Sequence, residues 1–389
     1  MSAKQRTFYY PVVIMTAMLV AQIAAQSHGQ VLKPIDTDQI ETPSAGSEAS
    51  AAKGEQTPAA EAANAIYAMT KGAKTGKDYS RIVESCELTL KRDDLTDGNR
   101  TDINSIYSWA LNRRGKKRLE TAEAFEMAEN IDQSDIVFES AMSDFENAIE
   151  VAPKRWQTYL SRGIAFVSKE KYEEAAKDFT FVVETNPKKS SGWFNRAEVY
   201  YSLGKFKQAI KDYDRCLKIS AFDVQAVTGR AHAKFELSQY KDSLADYDEA
   251  VRLAPRDPMA LANRGDVHQS LGEWAKAYED YVACVKIKPL AIGYQKAAWM
   301  LATCPSEDYF RPTAAIDMAN KAIRMEGESY QRLETLAVAQ AAMGDFDSAK
   351  ANQLKAVEAA EEISKLVVED AQTRLELFEA GKAVTQKAD

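Results

Sequence analysis

Two charged residue types recur in this sequence at spacings that could do chemistry. Arginine stands at Arg114, Arg162, Arg196, Arg230 and Arg264, and aspartate at Asp144, Asp178, Asp212, Asp246 and Asp280. A guanidinium is a planar fork of donors that grips a carboxylate or phosphate through two parallel hydrogen bonds. Arginines in register therefore read either as a stripe that holds an anionic ligand or as one half of a set of ion pairs. The matched aspartates favour pairs, because each would neutralise one arginine and breaking a buried pair is costly. The expectation is a ladder in which most guanidinium–carboxylate distances fall within roughly 4 Å.

Little else in the sequence points to a reaction. Of the three histidines, His28 lies near the N-terminus, and His232 and His268 fall at different repeat positions, without cysteine or carboxylate at ligand spacing. No metal, cofactor or catalytic residue is expected, and the chain is read as a non-enzyme. Residues 72–78, from Gly72 through Lys74, Gly76 and Lys77 to Asp78, resemble a phosphate loop by eye. That loop is one residue short, ends in Asp78 where Ser or Thr must hold magnesium, and follows no strand pattern. Asn99-Arg100-Thr101 fits an N-glycosylation acceptor. Fifty Lys+Arg against 58 Asp+Glu give a net charge of -8, which disfavours duplex DNA and anionic membranes as partners.

The elements that must position the charged residues follow from their period. Arg162-Gly163, Arg196-Ala197, Arg230-Ala231 and Arg264-Gly265 recur every 34 residues across 156–289. Such a period marks a solenoid whose units bury their apolar faces only by stacking. With 17 Gly and 11 Pro in 389 residues, the folded part reads as all-α. Each unit reads as a helix pair, as in Trp193, Ala197, Tyr200 and Gly204 followed by Phe206, Ala209, Tyr213 and Cys216. Small residues fall where two helices cross closely.

These positions closely resemble the tetratricopeptide repeat family, whose pattern is an aromatic, a Leu-Gly pair, a Tyr, then Ala, Phe, Ala and a closing Pro. The resemblance implies a right-handed superhelical solenoid of about eight helix pairs over 63–360. Trp109 to Gly115 look like one first helix, and Ala141, Phe145, Ala148 and Pro153 like its second. Their spacing exceeds the period by 14 residues. The surplus near 121–140, rich in Glu and Asp and without Lys or Arg, would either lengthen the pair or bulge as an acidic loop. Residues 63–71 and 77–92 form an atypical first unit, and 295–325 a degenerate one with a turn through Pro305 and Pro312. Leu333 to Ala356 restore the pattern, with Leu336 at the arginine position and Asn352 at the aspartate position. A helix near 361–380, with Ile363, Leu366, Val367, Ala371, Leu375 and Phe378 on one face, would cap the array, and 361–389 form the cap and tail.

In this family the first helix of each pair faces a concave groove. The resemblance thus implies that Leu160, Ile164, Phe194, Glu198, Tyr201, Thr228, His232, Phe235, Ala262, Asp266 and Gln269 point inward. Asn195 and Asn263, beside the arginines, could bond an extended peptide backbone. Tyr201 and Phe235 could equally pack between units. The family's two-carboxylate clamp is not expected, since the equivalent places hold Ile164, Glu198, His232 and Asp266.

The N-terminus carries Lys4 and Arg6, then an apolar run over 8–25 and small residues, which reads as a signal peptide over 1–29. Cleavage after Ala25 or Gly29 is possible, the latter favoured; an uncleaved anchor is the alternative. Residues 30–62, rich in Ala, Ser, Thr, Glu and Pro, read as a flexible spacer. Cys216 and Cys284 share one repeat position two units apart, too far for a disulfide, and Cys86 falls on an apolar face. Cys304 opens a loop, and four free thiols are expected. The chain is thus read as an exported, periplasmic or secreted scaffold that binds an extended or helical segment of another protein. Its leader would serve as a membrane tether if retained, and the rivals are a chaperone-like assembly factor for envelope proteins, and an enzyme with its site in the groove or a non-catalytic subunit of one.

Overall fold

The computed structural model describes residues 57–386. The expected leader, His28 and nearly all of the expected spacer lie outside the described residues. Seventeen α-helices fill the described chain, and no residue of it is in a strand. The chain divides into two compact units that meet between Ala221 and Phe222.

In the N-terminal unit the helices are α1 Pro58–Thr70, α2 Gly76–Leu90, α3 Asp97–Met127, α4 Ile131–Val151, α5 Trp156–Ser168, α6 Tyr172–Thr185, α7 Ser190–Ser202 and α8 Phe206–Ile219. Neighbours in sequence pack on one another, and the first helices of successive pairs, α3, α5 and α7, also touch. In the C-terminal unit come α9 Val224–Glu236, α10 Tyr240–Leu253, α11 Pro258–Ser270, α12 Trp274–Ile287, α13 Ala291–Thr303, α14 Pro312–Glu326, α15 Tyr330–Ala342, α16 Phe346–Glu361 and α17 Lys365–Glu379. The same order of packing holds there, with α11, α13 and α15 in contact along one side.

Local chemistry explains where the helices begin and end. Thr75 and Asp78 form a reciprocal capping box at α2, while Thr96, Asp223, Ser329 and Ser364 cap α3, α9, α15 and α17. First helices close with one recurring turn. The amides of Lys171, Lys205, Gln239 and Glu273 donate to the carbonyls five residues back at 2.8–2.9 Å. The residue before each donor is left-handed: Glu170 at φ 55°, Gly204 at 68°, Ser238 at 58° and Gly272 at 72°.

Two expectations are corrected and one open alternative is decided. The spacer does not run to residue 62, because Thr57 caps α1 and helix begins at Pro58. The acidic surplus near 121–140 lengthens the helix pair, the first of the two expected alternatives, and does not bulge as a loop. The turn sits at Glu129, itself left-handed at φ 57°, and the surplus is split as seven residues in α3 and seven in α4. Seven residues are about two helical turns, so each helix lengthens without rotating its buried face. The C-terminal cap starts at Lys365, since α16 continues through Glu361. Its apolar face is narrower than expected: Val367, Ala371 and Phe378 are buried, but Leu366 is 43% exposed.

Candidate functional site

Each of the five arginines meets its aspartate. The closest contacts are 2.6 Å for Arg114–Asp144, 2.8 Å for Arg162–Asp178, 2.7 Å for Arg196–Asp212, 2.6 Å for Arg230–Asp246 and 2.7 Å for Arg264–Asp280. In every pair Nε and Nη2 donate together to the carboxylate, and all five aspartates are buried. The residue after the arginine lets the helices close to this distance. A Cβ on Gly163 would stand 2.6 Å from the Phe179 ring, and one on Gly265 2.7 Å from the Tyr281 ring. Aromatics three residues before and four after flank two of the guanidiniums, with Arg162 over Tyr159 and Phe166, and Arg196 over Trp193 and Tyr200.

The arginines also tie one helix pair to the preceding one. Arg196 Nη1 donates to Thr180 of α6 at 3.2 Å, and Arg264 Nη1 to Asp248 of α10 at 3.0 Å. The hydrogen bonds to Asp178 and Asp280 raise the pKa of Arg162 and Arg264. Burial pushes the Asp178 carboxyl up, and the hydrogen bond and charge of Arg162 oppose that rise. A neutralised, tied pair holds helices together and leaves little for a ligand.

The residues expected in the groove separate into two sets. Phe194, Asn195 and Leu160 are completely buried, and Tyr201 is 7% exposed with its ring edge-on to Phe206 at 5.3 Å. Ala262 is buried as well. This corrects the expectation that they face a partner: a first helix is covered by its own second helix and by first helices beside it, so most of its circumference is interior.

Glu198, His232, Phe235, Asn263 and Asp266 are partly exposed. The Tyr213 hydroxyl donates to Glu198, and the Tyr281 hydroxyl donates to Asp266 at 2.7 Å and Gln269 at 3.0 Å. Lys296 pairs with Asp266 from α13. His232 Nε2 lies 3.1 Å from Asn263 Nδ2, and its ring is edge-on to Tyr247 at 5.6 Å. In the C-terminal unit this makes a polar row across α9, α11 and α13, while Phe235 packs edge-on to Tyr240.

One buried charge cluster escaped the sequence reading. Arg374 of α17 is bonded to Glu334 of α15, which also accepts from the Tyr330 hydroxyl at 2.8 Å. Asp370 reaches the same guanidinium at 2.8 Å. Glu334 is 1% and Arg374 7% exposed, so this ionic group joins the cap helix to the last pair. The available signal was Arg374 itself, three residues from Ala371 and four from Phe378 on the apolar face. Among the described residues no group of His, Cys, Asp and Glu is arranged to hold a metal, and no helix is long and apolar enough to cross a membrane.

Comparison with known proteins places this geometry. The tetratricopeptide repeat family model matches residues 190–221 and again 228–289. No curated protein sequence matches the chain. Among solved structures, yeast Tom70 is 16% identical with a TM-score of 0.46, covering 84% of this chain and 65% of its own. The chain thus spans just under two thirds of that relative. The APC/C hetero-tetramer Cut9-Hcn1 is 14% identical with a TM-score of 0.49, covering 76% of this chain and 52% of its own. A tetratricopeptide repeat protein from Parabacteroides merdae is 15% identical with a TM-score of 0.42, covering 82% and 98%. The family model thus falls on helix pairs α7–α8 and α9–α12, so residues 190–221 and 228–289 are matched as tetratricopeptide repeats, and the same all-helical pairing continues on both sides.

Proposed function

We propose that the chain is a non-catalytic scaffold that binds an extended or helical segment of another protein along the exposed side of its first helices. The observation that carries this reading is the row across α9, α11 and α13. His232, Asn263, Asp266 and Lys296 are held in fixed places by one another and by Tyr281, yet remain partly exposed. Positioned donors and acceptors at helical spacing suit the backbone and side chains of a bound segment. The repeat family supports protein–protein binding as the general role. The export signal read in residues 1–29 supports a periplasmic or secreted place, or a membrane tether if the leader is retained.

Proximity labelling in the source cell tests the reading, comparing the native protein with a variant carrying His232→Ala, Asn263→Ala and Asp266→Ala. Loss of a defined set of labelled proteins is expected, and unchanged labelling would sink the proposal. A single defined partner favours the scaffold, whereas many unrelated clients favour a chaperone-like role. Mass spectrometry of the mature N-terminus tests export, and a retained Met1 would argue for the anchor.

A further inference from the structure

The N-terminal unit carries a second feature unlike the rest of this acidic chain. A groove of about 730 Å³ runs between α2 and α3, lined by Lys74, Lys77 and Arg81 on one side and Arg114, Lys117 and Arg118 on the other. Lys77 and Arg81 on α2, and Arg114 and Arg118 on α3, each stand four residues apart, so two basic helix faces confront one another. Glu84 and Glu120 are the only acids in the lining and Asp144 stands behind the two α3 arginines, which leaves a local excess of three positive charges in a chain of net charge -8.

The two arginines of α3 are oriented from behind. Arg114 Nε and Nη2 bond Asp144, and Arg118 Nη1 bonds Asp144 at 2.7 Å and the Ser140 carbonyl at 2.9 Å. One buried carboxylate thus serves two guanidiniums. No hydrogen bond among the described residues uses Arg114 Nη1 or Arg118 Nη2. No ion pair among the described residues engages the exposed side chains of Lys74, Lys77 or Arg81. The amides just before α2, those of Lys74 and Thr75, donate to Asp78 at 3.1 and 2.9 Å, and the Asp78 amide donates back to Thr75 Oγ1 at 3.3 Å. Asp78 thus occupies the loop amides of Lys74 and Thr75, and the cationic groups that line the groove are side chains.

We propose that the α2–α3 groove binds a ligand bearing two or more closely spaced phosphoryl groups. The stripes from Lys77 to Glu84 and from Arg114 to Thr121 each span seven residues, or about 10 Å of helix. An extended acidic peptide turns a carboxylate to one face every second residue, about 7 Å, and would place only about two charges in that length. Two phosphoryl groups supply about three to four charges in the same space, matching the local excess. Arginine forks and lysine points together are the side chains that recognise phosphate. The chemistry is shared by soluble oligophosphates and by phosphorylated lipid headgroups.

Calorimetry of the full chain with inorganic tripolyphosphate, and cosedimentation with vesicles containing a phosphatidylinositol bisphosphate, test the site and separate its two sources. Lys77→Glu with Arg81→Glu alters two exposed residues, and Lys207→Glu with Lys211→Glu on α8 makes the same change of net charge elsewhere. Saturable binding of either phosphate probe is expected, at least tenfold weaker in the first variant and within twofold of native in the second. Binding to neither probe, equal losses in both variants, or hexaglutamate bound as tightly as tripolyphosphate would each overturn the proposal. Circular dichroism of the variants keeps a folding defect from being read as lost binding.

Discussion

Arg196 donates from Nε and Nη2 to the two oxygens of Asp212 at 2.7 and 2.9 Å, and from Nη1 to Thr180 of the preceding helix pair at 3.2 Å. One side chain thus closes its own helix pair and joins it to the pair before. Removing it leaves Asp212, 4% exposed, as an uncompensated buried carboxylate. Arg196→Ala is expected to destabilise the fold by about 3 kcal/mol, the range for breaking a buried pair. Arg196→Lys, which cannot span both oxygens, should fall between native and alanine. Urea unfolding measures this, and a loss below about 1 kcal/mol for the alanine variant would mean the pair is solvated in practice.

The left-handed turn that closes α5, α7, α9 and α11 offers the converse test. Gly204 and Gly272 adopt it without a Cβ, but Ser238 stands there at φ 58°. A left-handed residue with a side chain carries a strain of about 1–2 kcal/mol. Glycine relieves this strain but has more freedom to lose on folding, so Ser238→Gly should stabilise by about 1 kcal/mol. Gly272→Ala should destabilise by a similar amount. A rise in thermal midpoint for the first and a fall for the second are the expected readings; a fall for both would place the control of this turn elsewhere.

The recurring pairs could be read from the sequence because both partners repeat in register and disappear together at Leu336 and Asn352. There Asn352 instead bonds Gln340 at 2.8 Å. The tyrosine contacts carry the same kind of signal: Tyr213 and Tyr281 accompany Glu198 and Asp266, while Phe179 accompanies Ile164 at the equivalent places. Phe194 and Tyr201 were misplaced for a different reason. A first helix packed on three neighbours has little exposed stripe, so its sequence does not mark which face meets solvent. Arg374 occurs once, in a helix outside the period, and had no register to be compared with. The split of the 14-residue surplus into two equal helix extensions depended on where the chain turns. Glu129 and Asn130 mark that turn, with the Asn130 amide donating to the Phe125 carbonyl at 2.9 Å, and neither is a residue that announces it.

All four cysteines are free and buried, and burial pushes the thiol of Cys86 up to about 12 and that of Cys284 up to about 11. The thiolate is the reactive form, and neither site favours it at neutral pH. A thiol-specific disulfide reagent should therefore label the native protein far more slowly than the denatured one, which should show four reactive thiols. Rapid native labelling of Cys86 would show that α2 opens locally.

Lys116 sits on α3 at the place that Glu198 and Asp266 hold in later repeats. Burial, with Arg113 and Lys117 adding repulsion against the partial help of Glu120, brings its pKa down to about 8. The folded value lies below the unfolded one of about 10.4, so between those limits the unfolded chain binds the extra proton. Stability from this group is therefore lowest below pH 8 and rises as pH climbs from about 8 toward 10.4. Lys116→Met should be more stable than native at pH 7, with the difference shrinking above pH 8. Parallel unfolding curves across that window would refute the assignment.

The Glu334–Arg374 pair joins α15 to the cap helix, where burial of both groups opposes their charged forms. Burial raises the Glu334 carboxyl, and Arg374 and the Tyr330 hydroxyl work against that rise. Removing one partner leaves the other buried and unpaired, so Arg374→Met alone should destabilise by about 3–5 kcal/mol. Replacing both, as Glu334→Leu with Arg374→Met, removes the desolvation cost along with the attraction, and is expected to recover most of that loss. The Tyr330 hydroxyl would lose its acceptor and Asp370 its guanidinium, so the recovery should be completed by Tyr330→Phe with Asp370→Asn. A double variant no more stable than Arg374→Met would show that the pair contributes net stability beyond cancelling its own burial.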